Sequence, residues 1–240
     1  MQHFLVINYG KNFRPHRGAM TIIFTLLALL LACTEPRPGN RNADEQIETS
    51  QTRLNYSKKR ALVDSLKNYC KLKTPNEAGI LLADFIDKQL VPYWIGTPWD
   101  FNGVSQTPGE GSIACGYLVT TILRDAGVDI HRVKMAQCAS EVMINSLTKL
   151  KVNYSGLSFD AFINAVKSKG RGISIVGLDN HTGFLYANGE ELYFIHSSYV
   201  GEGKVAREIA ADNRILQNSH YKVVGYISQD PGFIRVWLKY

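Results

Sequence analysis

From Cys115 onward apolar residues recur at Leu118, Val119, Ile122, Leu123 and Ala126. That is the three-four spacing of one buried helix face, and Gly127 follows as the C-cap. A second helix start stands at Thr74, with Pro75 at the first helical position and Glu77 closing a capping box before an apolar run over 80–90. Ser158 caps a third helix, with Phe159, Phe162, Ile163 and Val166 inward and Gly170 at its end. Residues 135–147 predict another helix, 210–219 a short one, and 51–71 a loosely amphipathic one with Leu54, Ala61, Leu62, Leu66 and Tyr69 on its apolar side. Isoleucine- and valine-rich or alternating runs over 172–178, 181–187, 190–196, 221–228 and 233–239 predict strands. Helices first and strands afterwards give an α+β domain, with N-terminal helices and the Cys115 helix packed on a largely antiparallel sheet. No internal repeat or low-complexity run is present.

The N-terminal pattern differs. Residues 21–32 form an apolar run preceded by Lys11, Arg14 and Arg17. This is shorter than the roughly 20 residues that cross a bilayer and has the basic flank of a secretory leader. The end of the run, Leu30-Leu31-Ala32-Cys33, resembles the lipobox of bacterial lipoproteins, which implies that Cys33 is lipidated and becomes the mature N-terminus. Several acyl chains give a stable anchor where one is marginal. A secreted protein with an incidental Cys33, and a start at Met20 that removes the basic residues, stay open. The implied organisation is a leader over 1–32, a polar tether over 33–50 marked by Pro36, Pro38 and Gly39, accessory helices over 51–90, and the main domain over 91–240. Thr34 is not the aspartate that retains such lipoproteins in the inner membrane, so the resemblance implies the outer membrane, facing the periplasm.

Composition narrows the function. At 240 residues and 45% apolar the chain carries ample core. Loss of the leader leaves 24 basic against 21 acidic residues, a mild balance. No basic cluster is interleaved with aromatics, so no nucleic-acid partner is expected.

Chemistry concentrates at Cys115. A first-turn position, with unpaired N–H groups and the positive end of the helix dipole, favours thiolate over thiol. Free cysteine is also among the most buried residue types, so a core position fits the same residue. A partner lies in a predicted hairpin. Asn188-Gly189 read as a two-residue turn pairs Ala187 with Glu190 and sets His181 directly opposite His196, with Cβ atoms roughly 5 Å apart. A bulge would shift that register by one residue and separate them. Cysteine at a helix mouth, an imidazole to take its proton and a third polar group to fix the tautomer are the parts of a thiol hydrolase.

Gly96-Thr97-Pro98-Trp99, Cys115-Gly116-Tyr117-Leu118-Val119 and His181-Thr182-Gly183-Phe184-Leu185 together resemble the NlpC family of papain-like bacterial cell-wall peptidases, over about residues 91–200. The resemblance implies a papain-like domain that cleaves amide bonds in peptidoglycan stem peptides without a cofactor, with Cys115 as nucleophile, His181 as base and His196 as orienter. It implies that Trp99 and Phe101 wall the cleft, although both also fit as plugs of the core. At the nucleophile the family carries Asp-Cys-Ser where this chain has Ala114-Cys115-Gly116, and its aspartate holds the substrate amine; Glu110 is a candidate substitute. Two other classes remain: a zinc site of Cys115, His181 and His196, without any close-spaced ligand pair, and a non-catalytic envelope lipoprotein that binds peptides or a protein partner in the same cleft. His131 reads as a surface residue, Asp179 as a turn residue with an imidazole contact as the alternative, and Cys70 and Cys138 as free thiols or a bridged pair.

Overall fold

The computed structural model describes the backbone of residues 41–239 and the side chains of 48–239. The leader and Cys33 lie outside the described residues. Residues 46–240 form one compact unit; of the preceding unit, 1–45, only residues 41–45 are described, and they are helical.

In chain order the elements are α1 (Arg41–Arg60), α2 (Val63–Cys70), α3 (Pro75–Phe85) continued by a π-turn (Ile86–Leu90), α4 (Val91–Trp94), α5 (Cys115–Asp125), α6 (Arg132–Ala136), α7 (Ser140–Leu147), β1 (Lys151–Asn153), α8 (Phe159–Lys167), β2 (Gly172–Leu178), β3 (Thr182–Ala187), β4 (Leu192–Ser197), β5 (Val205–Ile209), α9 (Arg214–Asn218), β6 (Lys222–Gly225) and α10 (Pro231–Leu238). The fold is α+β. Its six strands form one antiparallel sheet in the order β1-β6-β2-β3-β4-β5.

Strand alternation sorts the sheet into two faces. Ile173, Ile175, Phe184, Tyr186 and Ile195 pack against α3 and α5, whereas Val176, Leu178, Leu185, Leu192 and Phe194 meet Phe162 and Val166 of α8 and Leu216 of α9. Because both faces are covered, β2 is buried at every position. Two expected helix starts form with their caps, the Thr74 hydroxyl and the Glu77 carboxylate closing the capping box and the Ser158 hydroxyl accepting from Ala161 N–H, while α5 opens at Cys115 as expected with no side-chain cap on Ala114.

Several expectations are corrected. The stretch 33–50 is not an irregular tether throughout: α1 begins at Arg41, beyond Pro36, Pro38 and Gly39, and no proline or glycine interrupts 41–60. Over 51–71 the buried positions are Tyr56, Val63 and Cys70, spaced by seven, while Leu54, Leu62 and Tyr69 are exposed. Tyr56 decides that face, since its hydroxyl donates to Asp125 (2.7 Å) and accepts from Trp94 Nε1 (2.8 Å). The core runs on through α3, with Ala78, Leu82 and Ile86 fully buried in the same cluster as Trp94 and Leu118, so these helices belong to the core that contains α5. The helix expected over 135–147 is two helices, broken where Ala139 is extended (φ −56°, ψ 142°). The strand expected over 233–239 is helical: Asp230 Oδ1 accepts from Gly232 N–H, Pro231 occupies the first turn, and Trp237 Nε1 donates to Ala126 C=O at the end of α5. Strands β1 and β5 were not expected.

The hairpin register also differs, by two. Asn188 Oδ1 accepts from the N–H groups of Glu190 (2.8 Å) and Glu191 (2.7 Å), and Asn188 N–H donates to Glu191 C=O. The turn therefore centres on Gly189-Glu190, and Ala187 pairs with Leu192. A shift of two keeps every side chain on its face.

Candidate active site

The loop before α5 is pinned on three sides. Ile113 N–H donates to Pro98 C=O, Ala114 N–H to Gly103 C=O, and the Ser197 hydroxyl at the end of β4 to Ile113 C=O (2.6 Å). Cys115 thus enters the first turn of α5 with its own N–H and that of Gly116 outside the helical ladder, because the first four N–H groups of any helix lack intrahelical partners. Gly116 has a packing reason: a Cβ there would lie 2.4 Å from Ala136 C=O, so α6 can close on the mouth of α5 only over a glycine.

Cys115 is partly exposed. Burial nevertheless pushes its thiol above the ordinary value, opposed by the backbone amides of Thr182, Gly116 and Cys115 itself. The expectation that the helix mouth leaves a ready thiolate is corrected: desolvation outweighs those three amides, and the resting group is the thiol. The Thr182 contact sets the sulfur beside the residue that follows His181, beyond the last β3–β4 pair at Phe184–Ile195.

His181 and His196 are brought together. His181 Nε2 and His196 Nδ1 are 2.9 Å apart, with the rings perpendicular. His196 Nε2 lies 2.8 Å from Glu208 Oε2, and Asn213 Nδ2 donates to the same oxygen (2.7 Å). Burial lowers the pKa of both imidazoles: His181 falls to about 3, helped by His196, and His196 falls despite the opposing pull of Glu208. Both are neutral near pH 7, so each carries one N–H, and the tautomers follow. A carboxylate only accepts, so His196 Nε2 holds its hydrogen and donates to Glu208. His196 Nδ1 is then an acceptor, and His181 Nε2–H donates to it. His181 Nδ1 is left as the lone-pair nitrogen, in the state a general base requires.

Phe194 stacks on His196 at 4.1 Å, and Tyr199 meets the edge of His181 at 5.2 Å. Trp99 packs on Tyr199 at 6.1 Å, with its backbone N–H donating to Gly203 C=O, so Trp99 joins the wall beside His181. Phe101 is 79% exposed and plugs no core. Glu110 is spent on Arg53 of α1, whose Nε donates to it at 2.9 Å. Asp179 accepts from Ser219, His220 and Tyr221 and holds a loop rather than an imidazole. His131 is exposed, and Cys70, Cys115 and Cys138 are all free.

Glu208 is the site residue that sequence reasoning missed. Its strand alternates weakly and is half exposed, so only a carboxylate two places beyond the residue facing His196 could have pointed to it. Among the described residues no group of three His, Cys, Asp or Glu side chains is arranged to hold a metal ion, and no helix is long and apolar enough to cross a membrane. No family model, curated protein or solved structure matches this chain.

Proposed function

We propose that this protein is a cysteine hydrolase of amide bonds, of the papain-like NlpC type, anchored to the cell envelope through Cys33 and acting on peptidoglycan stem peptides. The observation that carries the reading is the Glu208–His196–His181 relay, which leaves the Nδ1 lone pair free on the imidazole next in sequence to the amide that contacts the Cys115 sulfur. As Cys115 attacks the substrate carbonyl, its proton passes to His181 Nδ1; the N–H groups of Cys115 and Gly116 face the developing oxyanion. The imidazolium then protonates the leaving amine, and water resolves the thioester by the reverse transfer. Because the resting pair is a neutral thiol and a neutral imidazole, His181 works as a base during attack rather than as half of a standing ion pair.

The specific observation favouring a non-catalytic, peptide-binding lipoprotein is the raised thiol pKa. One experiment separates the two. In a chain with Cys70→Ser and Cys138→Ser, alkylation of Cys115 by iodoacetamide is followed across about pH 6 to 10, with and without His181→Ala. A catalytic site gives alkylation that climbs with pH and slows when His181 is removed, together with release of amines from peptidoglycan fragments that Cys115→Ala abolishes. An identical profile in both chains, with fragments bound and not cut, assigns the protein to binding.

A further inference from the structure

Two cavities adjoin on the side of α5 formed by α6, α7 and α10, and Cys115, His181 and His196 line neither. The first, about 810 Å³, is walled mainly by Ile130, Met135, Leu147, Phe233, Val236 and Trp237. The second, about 760 Å³, carries Arg124, Arg132 and Lys134 with His131 and no carboxylate. They share Ile130, His131, Lys134 and Cys138, so an apolar chamber opens directly into a cationic one.

The charge bookkeeping favours an anion at the junction. Of the two carboxylates in the apolar chamber, Asp230 is used by the Thr148 hydroxyl (2.6 Å) and Lys149 N–H (3.0 Å), and only Asp129 remains. Arg132 donates to the Thr121 hydroxyl and to the carbonyls of Val104 and Ser105 and lies over the Tyr117 ring, neutral partners all, so the only carboxylate among the described residues that acts on it is Asp125, without a hydrogen bond between them. Arg124 is held by Asp125 and Gln106, whereas Lys134 enters no ion pair among the described residues. Volumes of this size are those of small-molecule sites, and exposed apolar walls rimmed by polar groups mark ligand grooves.

We propose that the paired cavities bind a single-chain amphiphile with an anionic head group, of the fatty-acid carboxylate class, the chain lying along α10 and the head between Lys134 and Arg132. The site is independent of the thiol chemistry, so Cys115→Ala leaves it intact. The purified full chain is titrated calorimetrically with dodecanoate below its micelle concentration. Saturable binding of one dodecanoate per chain is expected, weakening by about fourfold for each methylene removed, the factor set by burial of a CH₂. Dodecylamine should bind at least about tenfold more weakly, and Lys134→Glu should cost dodecanoate about tenfold, both through the reversed charge. Val236→Trp, at an exposed wall position, should block the chamber with no change in melting temperature. Dodecanoate should also protect Cys138 from maleimide, a readout separate from heat. The proposal is overturned by no saturable binding of monomeric dodecanoate, by equal affinity for dodecylamine, by affinities unmoved in both variants, or by association with fatty-acid vesicles alone.

Discussion

His181 reaches His196 along a diagonal of the sheet. Carried one step past Phe184–Ile195, the register sets Gly183 opposite His196 on one side, and Ala206 faces it on the other. Both neighbours are small. The imidazole of His196 therefore has open diagonals to residues two positions away on each flanking strand, His181 and Glu208, and the relay crosses three strands by the same offset twice.

Glu208 is expected to set activity through the tautomer of His181 rather than through substrate contact. Glu208→Ala removes the acceptor that holds the hydrogen on His196 Nε2, and turnover should fall by about 10–100-fold with KM little changed. In Glu208→Gln the amide oxygen can still accept from both His196 and Asn213, so most activity should survive. The measurement is kcat and KM for the pair of variants on one peptidoglycan fragment; equal losses in both would remove tautomer control.

Gly183 is expected to admit no side chain. A Cβ there would lie 2.6 Å from Ile195 C=O and 2.9 Å from His196 Cβ, in a region where the neighbouring backbone is itself in the ladder. Gly183→Ala should cost about 1–3 kcal/mol by overpacking and should push His196 away from His181. Thermal unfolding reads the first effect; the second appears as a lower alkylation rate of Cys115 in the folded chain.

How much of this was legible follows from which physical signal carried each residue. The Cys115 helix shows in its apolar spacing, and the Thr74 cap in its local chemistry, because both are written within a few neighbouring positions. The two histidines share a face in either register, since the Asn188 side chain moves the turn by one place, which shifts the pairing by two, and the side-chain period is two. Glu208 lies on an edge strand whose residues are half exposed, so hydrophobic alternation does not mark it. Residues 233–238 hold enough apolar positions to read as a strand, and only the cap formed by Asp230 before Pro231 makes them a helix. Tyr56 escaped notice because its burial is settled by Asp125 and Trp94, partners distant in sequence.

The buried imidazoles make stability depend on acid. An unfolded histidine titrates near the ordinary 6.5, whereas His181 in the folded chain titrates at about 3. The unfolded state therefore binds more protons between those values. The stability is fully present above about pH 6.5 and is lost as pH falls toward 3, at up to roughly 1.4 kcal/mol per pH unit. His196 shifts in the same direction. Asp84 and Asp230, held below the usual carboxylate range, also lose stability in acid, so the histidine share is isolated by comparison with His181→Gln. Between about pH 7.5 and about pH 4.5 the urea midpoint of wild type should fall further than that of the variant; a difference between them independent of pH would mean that His181 titrates normally.

The last prediction concerns what fastens α1 to the domain. Tyr56 is 3% exposed, and its hydroxyl stands between two groups: it donates to Asp125 Oδ2 and accepts from Trp94 Nε1. Asp125 keeps Arg60 (3.2 Å) and Arg124 (2.9 Å) on its other oxygen, so it tolerates losing the hydroxyl better than Trp94 does. Trp94 is fully buried, and without Tyr56 its indole N–H has no acceptor. Tyr56→Phe preserves the ring that packs edge-on against Trp94 at 6.0 Å, so the change isolates the hydroxyl. Leaving one buried donor unsatisfied costs about 1–3 kcal/mol, and the expected loss lies in that range. Trp94→Phe combined with Tyr56→Phe removes donor and acceptor together, and the double variant should lose less than the sum of the two single changes. Denaturant midpoints of the four chains give the coupling, and strict additivity would show that the Tyr56 hydroxyl does not serve Trp94.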